Sequence, residues 1–328
     1  MPGPYTEAHR HPNGPGDLRP TALQIIHDEG LKGKWQDKII VITGCSSGIG
    51  IETARALATT GAKLFVTARD VEKGEQALAD ILSDRVQLIQ MDQMSLESVR
   101  KGSQTILENS GGKVNILICN AGVMRLPERK LSTDGFEAQF ATNHLAHFLL
   151  FNLLKDALLA ASTPEFNSRV ILLSSSGHTW GGVRFEDYNW EHDYDPSLAY
   201  GSSKTANLYM SNYIDRVFGP RGIHSTSLDP GGIFTGLQIH VPEDVMTGWK
   251  RDPNVQVVMK SPEQGASTTV YAATSKDWEG KGGRYLQDCE EAPPVSEGYS
   301  FISGYAPHAY EKDAEDRLWN DSLAMLNL

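Results

Sequence analysis

The feature that most constrains the fold of this chain is a regular alternation of short apolar runs with helical patterns from residue 38 to residue 287. The apolar runs are rich in β-branched residues and are bounded by turn residues, which is typical of strands buried on both faces. They predict seven strands, over residues 38–43, 62–68, 85–91, 114–120, 168–175, 223–229 and 283–287.

The segments between these strands repeat apolar residues at helical spacing. They predict helices over residues 49–60, 71–82, 95–109, 133–158 and 197–218, and a further helix from Pro262. Asp70 is placed to cap the second of these helices. Strands that alternate with helices form a parallel sheet through right-handed crossovers. The sequence therefore predicts an α/β fold with a doubly wound parallel sheet of the Rossmann type and helices on both faces.

The domain organisation follows from where the alternation stops. No linker interrupts residues 38–328, which we expect to form a single domain that ends in an amphipathic helix packed on its own body. Residues 1–37 are expected to form an N-terminal arm. Its first 20 residues are rich in proline, glycine and charge and predict a loosely held segment. Residues 21–30 predict a short helix that packs on the domain.

Composition excludes several classes of protein. With 30 basic and 41 acidic residues the net charge is −11, which argues against a nucleic-acid partner. No apolar run reaches the ~18 residues that span a bilayer, and no signal peptide is recognisable. Cys45, Cys119 and Cys289 are odd in number and widely spaced, which indicates reduced thiols. We therefore expect a cytoplasmic protein with no membrane anchor, and the absence of CxxC and HExxH gives no support for a metal site.

Three glycines follow the first predicted strand, in TGCSSGIG at residues 43–50. The first turn of a parallel sheet lies at the edge where ligands bind, and the following helix offers unpaired N–H groups to an anion. Bare backbone there allows a diphosphate to approach closely. The alternative is a turn whose glycines only allow strand and helix to pack. The residues predicted to bind the diphosphate of a dinucleotide are Gly44, Ser46, Ser47, Gly48, Ile49 and Gly50.

The end of the second strand bears on which dinucleotide binds. An acid there selects the free ribose hydroxyl of NAD(H), whereas an arginine accommodates the 2′-phosphate of NADP(H). Ala68 occupies the strand end, Arg69 follows it, and Asp70 fits better as a helix cap. The sequence favours NADP(H) over NAD(H). The alternative is that Arg69 is a solvated surface arginine.

Tyr200 and Lys204 lie four residues apart at the start of a predicted helix and therefore share one face. A free tyrosine, with a pKa near 10, is a poor acid–base group at neutral pH. Lowering its pKa to ~7 takes roughly 4 kcal/mol. A nearby ammonium group in a partly dry site supplies that order of energy, and a cationic nicotinamide adds to it. Such pairs also arise by chance on helices, so the pair alone does not establish a catalytic site.

Further polar or small residues accompany this pair. Ser174, Ser175 and Ser176 end the fifth strand, and residues 120–122 end the fourth with Asn, Ala and Gly. Asn143 lies inside a predicted helix, where a polar residue is locally unfavourable. We expect the strand-end residues to lie at the ligand-binding edge of the sheet.

In this order, the motifs TGxxxGxG, NAG, a helical Asn, SS, YxxxK and PGxxxT resemble those of the short-chain dehydrogenase/reductase family. The resemblance covers residues 38–290. The stretches TARDVEKGE, ATNHLAHFLL, GGRYLQDC and DRLWNDS are most similar to its retinol-dehydrogenase-like and WW-domain-oxidoreductase-like branch.

The resemblance implies a role for each matching residue. Tyr200 would donate the proton in reduction and accept it in oxidation, and Lys204 would lower its pKa and hold the nicotinamide ribose. Ser175, with Ser176 as the alternative, would polarise the substrate carbonyl. Asn143 would kink its helix and hold a water that relays protons to Lys204. Further dinucleotide contacts are implied at Asp92, Gln93, Asn120, Ala121, Gly122, Pro230, Gly231, Ile233 and Thr235.

The predicted function is reversible hydride transfer between NADP(H) and a carbonyl or alcohol carbon of a small molecule. Two segments, residues 178–199 and 236–262, are rich in aromatic residues and methionine and predict an apolar or ring-containing substrate. The alternative is that these residues only pack their own loops. Two other functions stay open, namely an NAD-dependent alcohol dehydrogenase working in oxidation and a non-catalytic NADP sensor. The resemblance implies a homodimer or homotetramer through the helices of Asn143 and Tyr200, although a long C-terminal extension is compatible with a monomer.

Overall fold

The computed structural model of the protein describes residues 3–295 and 303–328. Within these residues, eight strands form one sheet. They are β1 Ile39–Ile42, β2 Lys63–Ala68, β3 Val86–Gln90, β4 Ile116–Cys119, β5 Ser168–Leu173, β6 Ile223–Asp229, β7 Arg284–Gln287 and β8 Glu290–Glu291.

The helices of the described residues alternate with these strands over most of the chain. They are α1 Thr6–Arg10, α2 Ala22–Asp28, α3 Ile49–Ala58, α4 Val71–Leu78, α5 Leu96–Ser110, α6 Ala138–Phe140, α7 Ala146–Ala161, α8 Pro196–Phe218, α9 Glu243–Arg251, α10 Pro253–Val258, α11 Pro262–Gly265, α12 Ser267–Thr274 and α13 Lys312–Leu326. A π-helical turn, Ala141–Leu145, joins α6 to α7. Short 3-10 helices lie at Ser176–Trp180, Gly219–Arg221, Gly236–His240, Lys276–Trp278 and Pro307–Tyr310.

The strand order is β3-β2-β1-β4-β5-β6-β7-β8, and β1 to β7 are parallel. Ile40 pairs with Leu64 of β2 on one side and with Ile116 of β4 on the other. The order therefore reverses at β1. In open parallel sheets this reversal opens a crevice at the carboxyl ends of the two central strands.

The core lies on both faces of the sheet, because alternate strand residues point to opposite sides. Ile40 and Ile42 pack with α2, α3 and α12, whereas Val41 packs with α5, α7, α8 and α13. The predicted doubly wound architecture is thus confirmed. Each of the seven predicted strands is present, with boundaries within two residues of the prediction.

Three details of the predicted element pattern were wrong. The eighth strand, β8, pairs antiparallel with β7, and its two glutamates carry no apolar pattern that could reveal it. The helix expected from residue 133 begins at Ala138, because Ser132 and Phe136 close a turn through a 2.7 Å backbone hydrogen bond. The helix expected from Pro262 is divided at Ala266 into α11 and α12.

Residues 3–20 of the N-terminal arm, which the sequence predicted to be loosely held, are fixed to the domain. The predicted helix is present as α2, which buries Ile25 and Ile26 against the domain. Upstream of it, the Arg19 side chain is 4 % exposed and donates hydrogen bonds to carbonyls some 240 residues away. The composition of residues 1–20 therefore misled the prediction, since the buried polar contacts of Arg19 fix this part of the arm.

The helical stretch Ala138–Ala161 is long and apolar enough to cross a bilayer by length and composition. More than half of its most apolar window is buried inside the protein. Phe148 and Leu149 lie in the core beside the strands. Its hydropathy is accounted for by its place as a core helix.

The C-terminal amphipathic helix packs on its own domain, as the sequence predicted. Trp319 of α13 stacks on Tyr213 of α8 at a centroid distance of 4.0 Å and meets Phe148 of α7 edge-on. The faces of α7 and α8 that meet Trp319 are thus covered by the chain itself.

Candidate active site

The glycine turn between β1 and α3 lies at the reversal of strand order. Gly44 and Gly48 adopt φ of +74° and +64°. A Cβ on Gly44 would lie 2.7 Å from the Cα of Ala121, and one on Gly50 would lie 2.6 Å from the Asn120 side-chain nitrogen. Close packing against the end of β4 therefore requires these glycines. Because α3 begins at Ile49 with no side-chain cap, its first N–H groups are also available to an anion.

The end of β4 supports this turn through Thr43 and Asn120. The Asn120 amide donates to the carbonyls of Thr43 and Gly44 at 2.8 and 3.0 Å. The backbone N–H groups of Asn120 and Ala121 donate to the Thr43 hydroxyl at 2.9 and 3.0 Å. Asn120 thus holds the turn with its side chain, while the small Ala121 and Gly122 leave the neighbouring edge clear.

The remaining predicted dinucleotide residues lie along the same edge. Thr235 sits against Gly48, where an added Cβ would be 3.3 Å from it, so the segment from Pro230 to Thr235 packs beside the glycine turn. Beyond β3, Asp92 accepts a hydrogen bond from the Met94 N–H at 3.0 Å. The buried Gln93 side-chain nitrogen has no hydrogen-bond partner among the described residues. The glycine cradle and this unpartnered donor fit a dinucleotide.

Arg69 follows β2 directly and is exposed. Asp70 is engaged as the cap of α4, since its carboxylate accepts the Lys73 N–H at 3.0 Å. The capping role predicted for Asp70 is confirmed. Of the two charged residues that follow β2, Asp70 is used to cap α4, whereas Arg69 is not part of that cap.

Tyr200 and Lys204 lie one turn apart on α8 and are 3 % and 4 % exposed. The Lys204 amine donates to the Leu173 carbonyl at 3.0 Å and lies 5.6 Å from the centre of the Tyr200 ring. Gly177 faces that ring, and a Cβ there would be 3.0 Å from it. The phenol and the amine thus occupy a tightly packed site at the end of β5.

The three consecutive serines have different partners. The Ser174 hydroxyl donates to the Lys204 carbonyl at 2.8 Å. Ser175 accepts the Gly177 N–H at 3.1 Å, and its hydroxyl oxygen and the Tyr200 ring would lie 3.4 and 3.0 Å from the same Cβ on Gly177. The Ser176 carbonyl accepts the Thr179 hydroxyl at 2.7 Å. The structure therefore places Ser175, rather than Ser176, beside Tyr200.

Asn143 lies in the π-helical turn, so the helix is irregular at the predicted position. Its side-chain oxygen accepts the Val123 N–H at 2.9 Å, and its amide nitrogen donates to the Val123 carbonyl at 3.0 Å and to the Ser203 hydroxyl at 2.8 Å. Ser203 in turn donates to the Tyr200 carbonyl at 2.7 Å. Because both amide hydrogens are used, a relay water at Asn143 would have to donate to its side-chain or backbone oxygen.

Burial shifts the pKa values of both Tyr200 and Lys204. Burial raises the pKa of Tyr200, Ser175 opposes the rise, and the Asp229 charge adds to it. Burial also lowers the pKa of Lys204 to about 8, although Asp229 acts against this shift. Desolvation is the largest cause of the raised pKa of Tyr200. The lowering of this pKa by Lys204 and a bound nicotinamide stays a prediction.

Two buried histidines that were not among the predicted site residues support the site. Burial lowers the pKa of His147 to about 4, so its ring is neutral at neutral pH. Nδ1 lies 2.9 Å from the Asn143 carbonyl and must donate, so Nε2 accepts from the Thr43 hydroxyl at 2.9 Å. Through these two hydrogen bonds, His147 links the glycine turn to the π-helical turn. The sequence contained a sign of this role, since His147 lies one helical turn after Asn143 and can therefore reach its carbonyl.

His178 plays a comparable part for Ser175. Its Nδ1 donates to the Ser175 carbonyl at 2.6 Å, and its Nε2 accepts the Ala306 N–H at 3.0 Å. Burial lowers its pKa to about 4. His178 therefore lies behind the site and anchors the serine turn to the C-terminal segment.

The two predicted substrate segments behave differently. Val241 is buried beside Tyr200 and Met124, and the half-buried residues Leu237, Val245, Met246 and Trp249 pack on this group. We call residues 236–258 the lid. Met259, expected to face the substrate, packs instead against Gly232.

Most aromatic residues of segment 178–199 do not face the site. Phe185 and Tyr188 pack on the body near Phe140 of α6. Trp180 is the exception, with its ring centre 6.1 Å from that of Tyr200. For this segment, loop packing rather than a substrate wall explains the composition.

The described part of the chain contains no group of three or more His, Cys, Asp or Glu side chains placed to hold a metal. Its three cysteines, Cys45, Cys119 and Cys289, are buried and unpaired. The polar groups around Tyr200 at the carboxyl edge are its phenol, an amine, hydroxyls and amides, with the buried carboxyl of Asp229 near them. This set suits proton transfer beside a bound dinucleotide.

Comparison with known proteins agrees with the geometry. The family model for short chain dehydrogenases matches residues 38–245. The chain is 50 % identical over 327 residues to the short-chain dehydrogenase/reductase prx1 of Penicillium roqueforti, covering 99 % of this chain and 96 % of that one. It is 35 % identical to retinol dehydrogenase 13 of Mus musculus, covering 89 % and 84 %.

Among solved structures, an uncharacterised protein from Mycobacterium paratuberculosis aligns with a TM-score of 0.66 at 30 % identity. The alignment covers 88 % of this chain and 93 % of that one. The chain therefore belongs to the short-chain dehydrogenase/reductase family, in its retinol-dehydrogenase-like branch, a family of oxidoreductases that bind a nicotinamide cofactor.

Proposed function

We propose that the protein is an NADP(H)-dependent oxidoreductase that interconverts a carbonyl and an alcohol on an apolar or ring-containing small molecule. One observation carries this proposal. Ser175, Tyr200 and Lys204 lie together at the edge of the sheet that also bears the glycine turn. When bound, the dinucleotide supplies or accepts the hydride.

The protonated form of Tyr200 suits it to act as the general acid when the reaction runs as a carbonyl reduction. Since burial raises its pKa, Tyr200 carries its proton at neutral pH. A protonated phenol is the form that can donate to the oxygen of a carbonyl under reduction. Lys204, with a pKa lowered to about 8, is still mainly charged at pH 7 and stabilises the phenolate that the transfer leaves. Ser175 is placed to donate to the same substrate oxygen.

The choice of NADP(H) rests on the end of β2. Arg69 is exposed immediately after the strand, Ala68 leaves no acid there, and Asp70 is held by the Lys73 N–H. An arginine at this position accommodates a 2′-phosphate. The lid and Met124 present apolar side chains to Tyr200, which supports an apolar substrate.

Tyr200→Phe is the test of the proposed chemistry. With NADPH and a panel of ketones and aldehydes, we expect turnover to fall by roughly 10²–10⁴-fold, because the general acid is lost. NADPH binding, measured separately, should be retained. Tyr213→Phe on the same helix serves as the control.

Turnover that survives in Tyr200→Phe would refute the acid–base role. Wild-type protein that binds NADPH but reduces no member of the panel would indicate the sensor alternative. Activity seen only with NAD and alcohols would indicate an NAD-dependent alcohol dehydrogenase that works in oxidation.

Arg69→Ala tests the choice of dinucleotide. We expect the affinity for NADPH to fall by roughly tenfold or more, because a charged hydrogen bond to the 2′-phosphate is lost. The affinity for NADH should not change. Arg221→Ala, which removes an exposed arginine before β6, is the control. An unaltered preference in Arg69→Ala would show that Arg69 does not bind the dinucleotide.

A further inference from the structure

The N-terminal arm contains a buried ion pair that the proposed chemistry does not use. The side chains of Asp17 and Arg19 are 7 % and 4 % exposed and lie 2.9 Å apart. Although burial opposes ionisation, hydrogen bonds from Arg19 and from the Asn13 N–H lower the pKa of Asp17 to about 2. A buried pair is costly unless its remaining polar atoms are satisfied, so its partners indicate what it holds.

Arg19 donates to backbone carbonyls at the end of the lid. Its guanidinium reaches the carbonyls of Val258 at 2.8 Å and of Met259 at 2.6 Å, and also that of Gly14 within the arm at 3.2 Å. The Gly14 N–H donates to the Val257 carbonyl at 2.9 Å. The arm therefore binds three successive carbonyls of residues 257–259.

Gln264 holds the same stretch of the arm from the other side. It is 1 % exposed, and its side-chain oxygen accepts the Gly16 N–H at 2.9 Å. Its side-chain nitrogen donates to the Asp17 carboxylate and to the Arg19 carbonyl, both at 3.0 Å. Residues 14–19 are thus fixed on both sides of the connection between α10 and α11.

That connection is paired with the segment implied to bind the nicotinamide. The Lys260 N–H donates to the Gly232 carbonyl at 2.8 Å, and Lys260 pairs with Ile233 in a parallel bridge. The Met259 sulfur lies 2.8 Å from where a Cβ on Gly232 would be. The Lys260 amine donates to the Pro230 carbonyl at 3.3 Å. A shift of residues 257–260 would therefore move residues 230–233.

We propose that residues 14–19 act as a clamp that positions the 230–233 segment and the C-terminal end of the lid, and that the clamp raises the affinity for the dinucleotide. Asp17 and Arg19 are positioning residues, since neither lies at the dinucleotide edge. The inference rests on the proposed function, because Gly231 and Ile233 contact the dinucleotide only if the family resemblance holds for them as well. The three helical pieces of the lid contain no buried residue. Val241, between two of these pieces, is buried beside Tyr200, and the clamp supplies a second anchor at the C-terminal end of the lid.

The test is the double variant Asp17→Asn/Arg19→Met, which removes the pair without leaving one charge buried alone. We expect the dissociation constant for NADPH, measured by titration calorimetry without substrate, to rise about tenfold. Trypsin should cleave after the exposed Lys250 and Arg251 of the lid several times faster. The control is Glu7→Gln/Arg10→Met, which removes an exposed ion pair of the same arm, with side chains 75 % and 60 % exposed. It should match the wild type in both measurements.

Hydrogen exchange on the wild-type protein tests the clamp without a substitution, should the double variant fail to fold. Coupling between two sites is reciprocal, so NADPH must slow amide exchange in residues 14–19 if the clamp raises its affinity. Unchanged exchange there, or unchanged affinity and cleavage in a folded double variant, would overturn the proposal. Protein that binds neither NADPH nor NADH overturns the proposed function. In that case, faster cleavage of the lid in the double variant would still show that residues 14–19 hold the lid in place.

Discussion

Helix α8 and the lid meet at Tyr200 but are built in opposite ways. Of the 23 residues of α8, 16 are buried, Tyr200 and Lys204 among them. The three helical pieces of the lid contain no buried residue and contact Tyr200 through half-buried side chains such as Met246 and Trp249. Dense packing fixes the geometry of the reacting groups, whereas a thinly packed wall can adapt to its ligand. From this difference we expect reaction type to depend on α8 and its neighbours, and substrate choice to depend on the lid.

The largest effect expected from this contrast is that of replacing a glycine of the glycine turn by alanine, compared with the same replacement in the lid. Gly50→Ala places a methyl group 2.6 Å from the Asn120 side chain, so the glycine turn must shift. We expect a loss of ~1–3 kcal/mol in the free energy of unfolding, and NADPH affinity weaker by roughly 10- to 100-fold. Denaturant unfolding and NADPH titration measure the two effects.

Gly248→Ala is the matched change in the lid. No atom lies within 4 Å of the added methyl group, and alanine favours the helix by about 1 kcal/mol. Stability should hold or rise slightly. If Gly248→Ala were as harmful as Gly50→Ala, the two regions would not differ in packing as described.

A second, smaller effect is the pH dependence of dinucleotide affinity. The pKa of Lys204 is lowered to about 8, so the free protein loses this positive charge as the pH rises through 8. If the charged amine holds the ribose, affinity for NADPH should be constant below pH 8. Above it, affinity should fall by up to about tenfold per pH unit. Titrations between pH 6.5 and 9.5 measure the slope.

Two lysine variants separate α8 from the lid in this experiment. Lys204→Met should flatten the slope, because the titrating group is gone. Lys250→Gln, which removes an exposed lysine of the lid, should leave it unchanged. A slope that persists in Lys204→Met would assign the titration to another group.

The smallest effect is expected from the lid itself. Met246→Ala removes part of a half-buried apolar wall beside Tyr200. We expect kcat/KM to change by about two- to fivefold, to different extents for substrates of different size, because little apolar area is lost. The NADPH dissociation constant should stay the same. Ile239→Ala, at a lid residue that is 78 % exposed, is the control. Equal changes for every substrate would argue against a role of Met246 in substrate choice.

The sequence by itself determined the sheet and the elements that carry the chemistry. Alternation of strand and helix periodicities is local, and it located β1 to β7 correctly. The placement of Tyr200 and Lys204 on one helix face, and of Gly44 at the first turn, follows from spacing alone. Asp70 could be identified as a cap for the same reason, since the bond spans only three residues.

Only the tertiary structure decided how these groups are charged and what holds them. The raised pKa of Tyr200 and the lowered pKa of Lys204 come from burial, which depends on every element packed around α8. Arg19 meets the Val258 carbonyl across 239 residues of chain, and no local pattern encodes such a contact. Desolvation and long-range polar pairing arise when distant segments fold together, so spacing along the chain cannot reveal them.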